Sequence, residues 1–252
     1  MFPRTRSGPD RRPGPATEPE RTVCDMEAPL HPADSPAGPE RSEAGPIVVL
    51  GGGGHAKVLI CVLKQTSCEI LGYTDRQDRG LILGTPYLGD DAELENIVRR
   101  HGACRALLGV GKVDASARRL TLQEEVETLG FDFPVIVSRN AILNEDVTME
   151  RGSVAFDGVI VNSGTRVGRA AILNTNCTVE HDCRLGDNVH VAPGSTLSGG
   201  VTVGDHSMIG AGATLIEGVT VCAGCLVGAG STVVKDLTVP GTYVGSPARR
   251  IA

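Results

Sequence analysis

From Leu143 to Val239 an aliphatic or small residue returns at every sixth position, through Met149, Ala155, Val161, Val179, Val191, Leu197, Val221 and Val233, without a slip in phase. A period of six fits neither a helix of 3.6 residues per turn nor the two-residue alternation of an ordinary strand. It fits a hexapeptide β-helix, in which three hexapeptides close one triangular turn. Residues 18 apart then stack at the strand spacing of about 4.8 Å, and roughly five turns fit between 143 and 239. A second small residue falls four places after each aliphatic, as at Cys177, Cys183, Ser195, Ser207, Ala213 and Cys225. The aliphatic fills the interior of a narrow prism and the small residue sits near a corner, which leaves little use for the chain's 3 Tyr and 4 Phe.

Ahead of this repeat the pattern changes. "IVVLGGGGHAKVLI" at residues 47–60 reads as an apolar strand, a glycine turn and an amphipathic helix. Such glycines let backbone N–H groups approach a ligand, and the start of a helix favours a phosphate. "EILGYTD" reads as a second strand ending at Asp75, where an acid would accept a ribose or sugar hydroxyl, and "CRALLGVGK" as a third running into Gly109 and Gly111. Residues 115–130 predict a helix and "FPVIV" at 133–137 a short last strand. A dinucleotide fold needs two such halves, and only one is present, so the ligand expected here is a single nucleotide rather than NAD. A purely structural doubly wound unit is the alternative. The predicted organisation is a tail over 1–45, a Rossmann-like α/β domain over 46–137 and an all-β parallel β-helix with a C-terminal cap over 138–252.

Composition narrows the function. Ten of the 15 prolines lie within residues 1–46, among charges and few large aliphatics, which predicts disorder; a linker, a misassigned start and a partner-binding tail are all open. A formal net charge of -6 and no basic cluster argue against a nucleic-acid partner. No apolar run reaches a membrane span and no secretory signal is present, so a cytoplasmic protein without membrane contact is expected. The eight cysteines then imply no disulfides. Cys222 and Cys225 spell C-x-x-C, but no second pair offers zinc four ligands and Cys225 falls on the small inward position, so a packing role is expected.

One short stretch breaks the bland repeat: "TVEHDC", residues 178–183. His181 lies two places after inward Val179 and therefore points outward. Asp182 beside it would fix the imidazole tautomer and raise its basicity. One turn on, at Gly199, a missing side chain leaves room for a ligand and bares an N–H. A base beside a backbone donor suits acyl transfer through a tetrahedral oxyanion. Prisms of this kind commonly associate as trimers, which would turn an exposed face into a cleft between chains.

The order of glycine-turn domain, prism, "NTNCTVEHDCRLGDNVHVAPGSTLSGGVTVG" and the ending "YVGSPARRI" resembles the bacterial sugar acetyltransferases that include sialic acid O-acetyltransferases and nucleotide-linked 4-amino-sugar N-acetyltransferases. The resemblance covers residues 47–251. It implies a left-handed β-helix, a homotrimer, acetyl-CoA as cosubstrate and no metal. It also implies His181 as general base, Asp182 as the acid that raises its basicity and Gly199 as the oxyanion donor. His190, Ala211 and Ala229 would contact acetyl-CoA, although relatives carry a larger residue at the position of Ala211 and accept glycine at that of Ala229. Gly53, Gly54, His55, Asp75 and Gly111 would hold the nucleotide-linked amino sugar. Arg76 departs from relatives that carry a second acid there.

The leading expectation is N-acetylation of a nucleotide-activated amino sugar, with O-acetylation of a sialic-acid-type sugar as the alternative. Two further classes are a metal-dependent hydratase using His181, His190 and His206, and a scaffold without catalysis.

Overall fold

In the computed structural model, which describes residues 45–66 and 68–251, an α/β unit leads into a left-handed parallel β-helix of about six turns. The disorder expected for the tail, residues 1–45, falls outside that range but for its last residue.

Strand β1 (Ile47–Leu50) is buried along its whole length. It pairs in parallel with β2 (Ile70–Thr74) on one side and β3 (Cys104–Leu108) on the other, and β4 (Phe131–Asp132) completes the order β2-β1-β3-β4. An unbroken Ile-Val-Val-Leu run suits a central strand covered on both faces. Helix α1 (Gly54–Lys64) covers one face through Ala56, Leu59, Ile60 and Leu63. Helices α2 (Leu94–His101) and α3 (Arg118–Thr128) cover the other through Leu94, Ile97, Leu120 and Val126. The sequence pattern did not predict α2, since two buried anchors in eight residues are too few to establish a period. The chain passes from β1 outward to β2 and then returns across β1 to β3. Loops leaving β1 and β3 therefore diverge to opposite faces and open a crevice at the strands' carboxyl ends.

The prism has three faces. The first holds Val154–Ala155, Ile172–Leu173, His190–Val191, Met208–Ile209 and Cys225–Val227; the second holds Ile160–Val161, Thr178–Val179, Thr196–Leu197 and Thr214–Leu215; the third holds Arg166–Val167, Arg184–Leu185, Thr202–Val203 and Thr220–Val221. Partners stand 18 residues apart, as in Ile172 with His190 and His190 with Met208. Every six-residue position from Ala155 to Val233 is buried. The second series, including Cys177, Ser195, Ala213 and Cys225, is buried with them.

Two expectations fail at the ends of the repeat. Ile136–Val137 does not close the α/β sheet; it pairs with Val154–Ala155 and opens the first prism face, so the solenoid starts one hexapeptide before Leu143. Pro134, which has no N–H for a ladder, separates it from β4. At the other end Val239 keeps the six-residue phase yet is 50% exposed. Leu237, two residues earlier, takes its place beside Val221. The cap strand Gly241–Val244 then stacks on Cys225–Val227, and the antiparallel Arg249–Arg250 ends the parallel stacking.

The first face is not free. Ile136, Val154, Phe156 and Ile172 pack into the same cluster as α1 and β1, so the α/β unit is docked against the prism. Replacing interior Leu197 by Ala should therefore destabilise the chain by about 2–5 kcal/mol, whereas Val239→Ala should stay within about 0.5 kcal/mol. Denaturant midpoints of the two variants check the corrected register.

Candidate active site

His181 occupies the corner between the second and third faces, where its side chain is 58% exposed. Its Nδ1 stands 2.9 Å from Asp182 Oδ2. An ionised carboxylate only accepts, so Nδ1 carries the proton and Nε2 keeps its lone pair. Asp182 adopts φ +60°, and a side chain at the underlying Gly164 would meet its Oδ1 at 2.7 Å. The imidazole lies over Gly199, where the missing side chain leaves room for it: a Cβ there would stand 2.6 Å from both Cε1 and Nε2. Among the described residues no backbone acceptor takes the Gly199 N–H. The hydrogen bond to Asp182 holds the imidazole above its ordinary pKa against desolvation, with the negative charges of Asp182, Glu180 and Glu217 adding to it.

A cavity of about 620 Å³ fills the crevice between the α/β unit and the first face. Gly53, Gly54, His55, Asp75 and Gly111 line it, together with Val113, Phe156, Asn174 and His190. Across Gly51, Asp75 and Val110 it adjoins a second cavity of about 450 Å³ that reaches Arg76 and Arg118. The uncapped start of α1, with no acid in its first turn, faces this space through Gly53 and Gly54.

Asp75 has a structural task that the sequence did not reveal. Its Oδ2 accepts the Gly52 N–H at 2.8 Å and its Oδ1 the Gln77 N–H at 3.1 Å, so the carboxylate holds the glycine turn in shape. Burial alone would push its pKa up; these two N–H groups and Arg79 outweigh that and hold it below the ordinary carboxylate range.

His190 is buried beneath the loop that follows β3. Its Nδ1 donates to the Lys112 carbonyl at 2.8 Å and its Nε2 accepts from Asn174 at 3.1 Å. Asn188, two residues away, donates to the Ser116 carbonyl at 2.9 Å, so the prism grips both ends of this loop. Arg119 is buried and bridges the carbonyls of Val110 and Ala170. Asn174, Phe156, Arg119 and Asn188 were not singled out from sequence, although Phe156 and Asn174 follow inward residues and so had to point outward. Desolvation, reinforced by Arg119, pulls His55 down to about 3 and His190 to about 4. The His55 ring meets Phe156 edge-on at 5.4 Å, and its Nε2 has no partner among the described residues.

Ala211 and Ala229 are exposed on the corner between the first and second faces, stacked through a hydrogen bond from Gly230 N to the Ala211 carbonyl. Phe156 and Asn174 lie on the same corner nearer the α/β unit, so cavity and alanines share one edge. His181 does not join them: its corner is the one opposite the first face. His206 sits at the third corner against Asn188, so the three histidines named for a metal site do not converge. No grouping of three or more metal-ligating side chains occurs among the described residues.

Residues 46–124 match the PglD N-terminal domain family, and residues 164–199 and 200–235 match the bacterial transferase hexapeptide family. A variant of perosamine N-acetyltransferase from Caulobacter crescentus, solved with CoA and GDP-perosamine, is 35% identical; the match covers 82% of this chain and 97% of that one, with a TM-score of 0.79. The chain belongs to this family of hexapeptide-repeat sugar acetyltransferases. Another member, the acetyltransferase domain of PglB from Neisseria gonorrhoeae, is 32% identical over 81% of this chain and 98% of the domain, with a TM-score of 0.74. The bifunctional protein GlmU of Syntrophotalea carbinolica is 36% identical over 81 residues; the match spans 32% of this chain and 17% of GlmU's length.

The three histidines should separate in an NMR pH titration: His181 above its usual value of 6.5, His190 near 4 and His55 near 3. Asp182→Asn should lower His181 alone. For the buried pair the folded-state pKa lies below the unfolded one, so the unfolded chain binds more protons between the two values. Stability should therefore be full above about pH 6.5 and fall as the pH drops toward 4, by up to ~1.4 kcal/mol per unit for each histidine, a slope that denaturant midpoints measure.

Proposed function

We propose that the chain transfers the acetyl group of acetyl-CoA to the amine of a nucleotide-activated amino sugar. The observation that carries this reading is the exposed imidazole of His181, clamped at Nδ1 by Asp182 and lying over Gly199, whose N–H has no backbone acceptor among the described residues. As the sugar amine attacks the thioester carbonyl, Nε2 of His181 takes the amine proton and the Gly199 N–H faces the developing oxyanion. Collapse of the tetrahedral intermediate expels the CoA thiolate, and the imidazolium returns its proton to that sulfur. No step draws on a metal. That a relative holds CoA and GDP-perosamine supports amine rather than hydroxyl as the acceptor.

The nucleotide sugar occupies the paired cavities, its phosphates toward the start of α1 at Gly53 and Gly54. His55, held uncharged by burial, forms a neutral part of the cavity wall at the sugar end. Acetyl-CoA lies along the edge of Ala211 and Ala229. His190, with both nitrogens engaged, forms the wall where the two ligands meet. Both substrates are cytoplasmic compounds, and the enzyme works there.

In one chain the base and the cavity sit on opposite sides of the prism, so the reaction needs a second copy. A corner meeting a different face is a head-to-tail contact, which closes into a ring when the rotation allows; a homotrimer is the assembly proposed.

Release of CoA thiol, followed with amino-sugar nucleotides and their hydroxyl counterparts, should show turnover with the amines alone. His181→Ala should lower turnover by about 10² to 10⁴ with an unchanged circular dichroism spectrum, and Asp182→Asn should cost less. Near-normal turnover of His181→Ala at saturation would remove it as the base. Asp75→Ala, which frees the glycine turn, should raise the KM for the nucleotide sugar and leave that for acetyl-CoA almost unchanged; a rise for acetyl-CoA alone would reverse the assignment of the two ligands.

A further inference from the structure

Cys222 and Cys225 bracket the corner between the third-face strand Thr220–Val221 and the first-face strand Cys225–Val227. The intervening Ala223 and Gly224 form a four-residue turn, with Gly224 at φ +72° as the third position of a type II turn requires. Such a turn holds its end Cα atoms within about 7 Å, and a disulfide accepts about 4.4–6.8 Å. The two sulfurs are already 3.5 Å apart. No other two cysteine sulfurs come within hydrogen-bonding reach of each other among the described residues.

The environments of the two thiols differ. Cys225 is buried in the prism, its Sγ directed at the Val239 carbonyl at 3.7 Å. Cys222 is partly exposed at the corner. That carbonyl also accepts the Tyr243 hydroxyl at 2.7 Å, so losing the Cys225 proton would not leave it without a donor. Metal binding lacks a ligand set here, since no third metal-ligating side chain gathers at the pair among the described residues.

We propose that Cys222 and Cys225 form a reversible dithiol–disulfide site, oxidised by small disulfides such as oxidised glutathione. The accessible Cys222 thiolate attacks one sulfur of the small disulfide, forming a mixed disulfide and releasing one thiolate. Cys225 loses its proton to solvent and attacks the Cys222 sulfur, which breaks the mixed bond and releases the second thiolate. The balance is two protein thiols and one small disulfide giving one protein disulfide and two small thiols. Burial, with Cys222 adding to it, pushes the Cys225 thiol up to about 12, so closure is the slow step. Each pH unit below that value should change its rate by about tenfold through the thiolate fraction.

The test exposes the native full-length protein to oxidised glutathione at about pH 7.5 and about pH 9, quenches with acid and maps the peptides. The expected course is a glutathionyl group on Cys222 followed by a 222–225 crosslink, lighter by two hydrogens, formed faster at the higher pH and reversed by dithiothreitol. Cys225→Ala should stop at the Cys222 adduct, and Cys222→Ser should leave Cys225 unmodified while circular dichroism stays native. A Cys222 adduct that persists in the unaltered protein at the higher pH would overturn the proposal. So would an unmodified Cys222 beside a fully modified Cys61, which is exposed.

Discussion

The interior of the prism is the constraint on which the remainder depends. Its cross-section admits one aliphatic and one small side chain per face and turn, so a strict six-residue phase runs from Ala155 to Val233. The outward direction of each remaining side chain follows. His181 faces solvent because Val179 and Cys183 on either side of it are buried inward. Gly199 lies beneath its ring because it stands 18 residues on, and Gly164 beneath Asp182 because it stands 18 residues back. The residues proposed as base, orienting acid and backbone donor are thereby set on a rigid element, the condition under which electrostatic stabilisation costs no reorganisation during reaction.

One residue type serves two purposes because its surroundings differ. His181 is exposed beside acids and is held toward the charged form; His55 and His190 are buried near Arg119 and are held neutral. The first arrangement favours the imidazolium, as the proposed base requires. The second supplies hydrogen-bonding walls without placing a further cation beside Arg119, whose own charge burial already disfavours, lowering its pKa to about 9.

The repeat, the glycine turn and the acid-histidine-acid triplet were legible in the sequence because each is local or strictly periodic. Period-six positions predicted the buried interior from Ala155 to Val233, and the offset from Val179 predicted the exposure of His181. What stayed hidden depends on the docking of one element on another. Val154, Ile172 and His190 occupy outward positions yet are buried, since the α/β unit covers that face. Asp75 sits at the strand end where a ligand acid was expected, but its partners are backbone N–H groups 23 and 2 residues away, which no spacing announces. Val239 keeps the rhythm and leaves the core, because a two-residue shortening before Pro240 is invisible to a pattern that tolerates any aliphatic.

The central claim is that the base of one chain serves the cavity of another. Gly53→Asp would place a carboxylate where phosphates are expected, and it should fold normally: its backbone has an ordinary φ of -82° and an added Cβ meets nothing within 4 Å. Chains carrying it, co-assembled in equal amount with His181→Ala chains, form mixed rings in which some sites combine an intact base with an intact cavity. Random mixing predicts recovery to about one quarter of the activity of the unaltered protein. Mixed rings that form, shown by native mass spectrometry, and remain as inactive as the two parents would contradict the account.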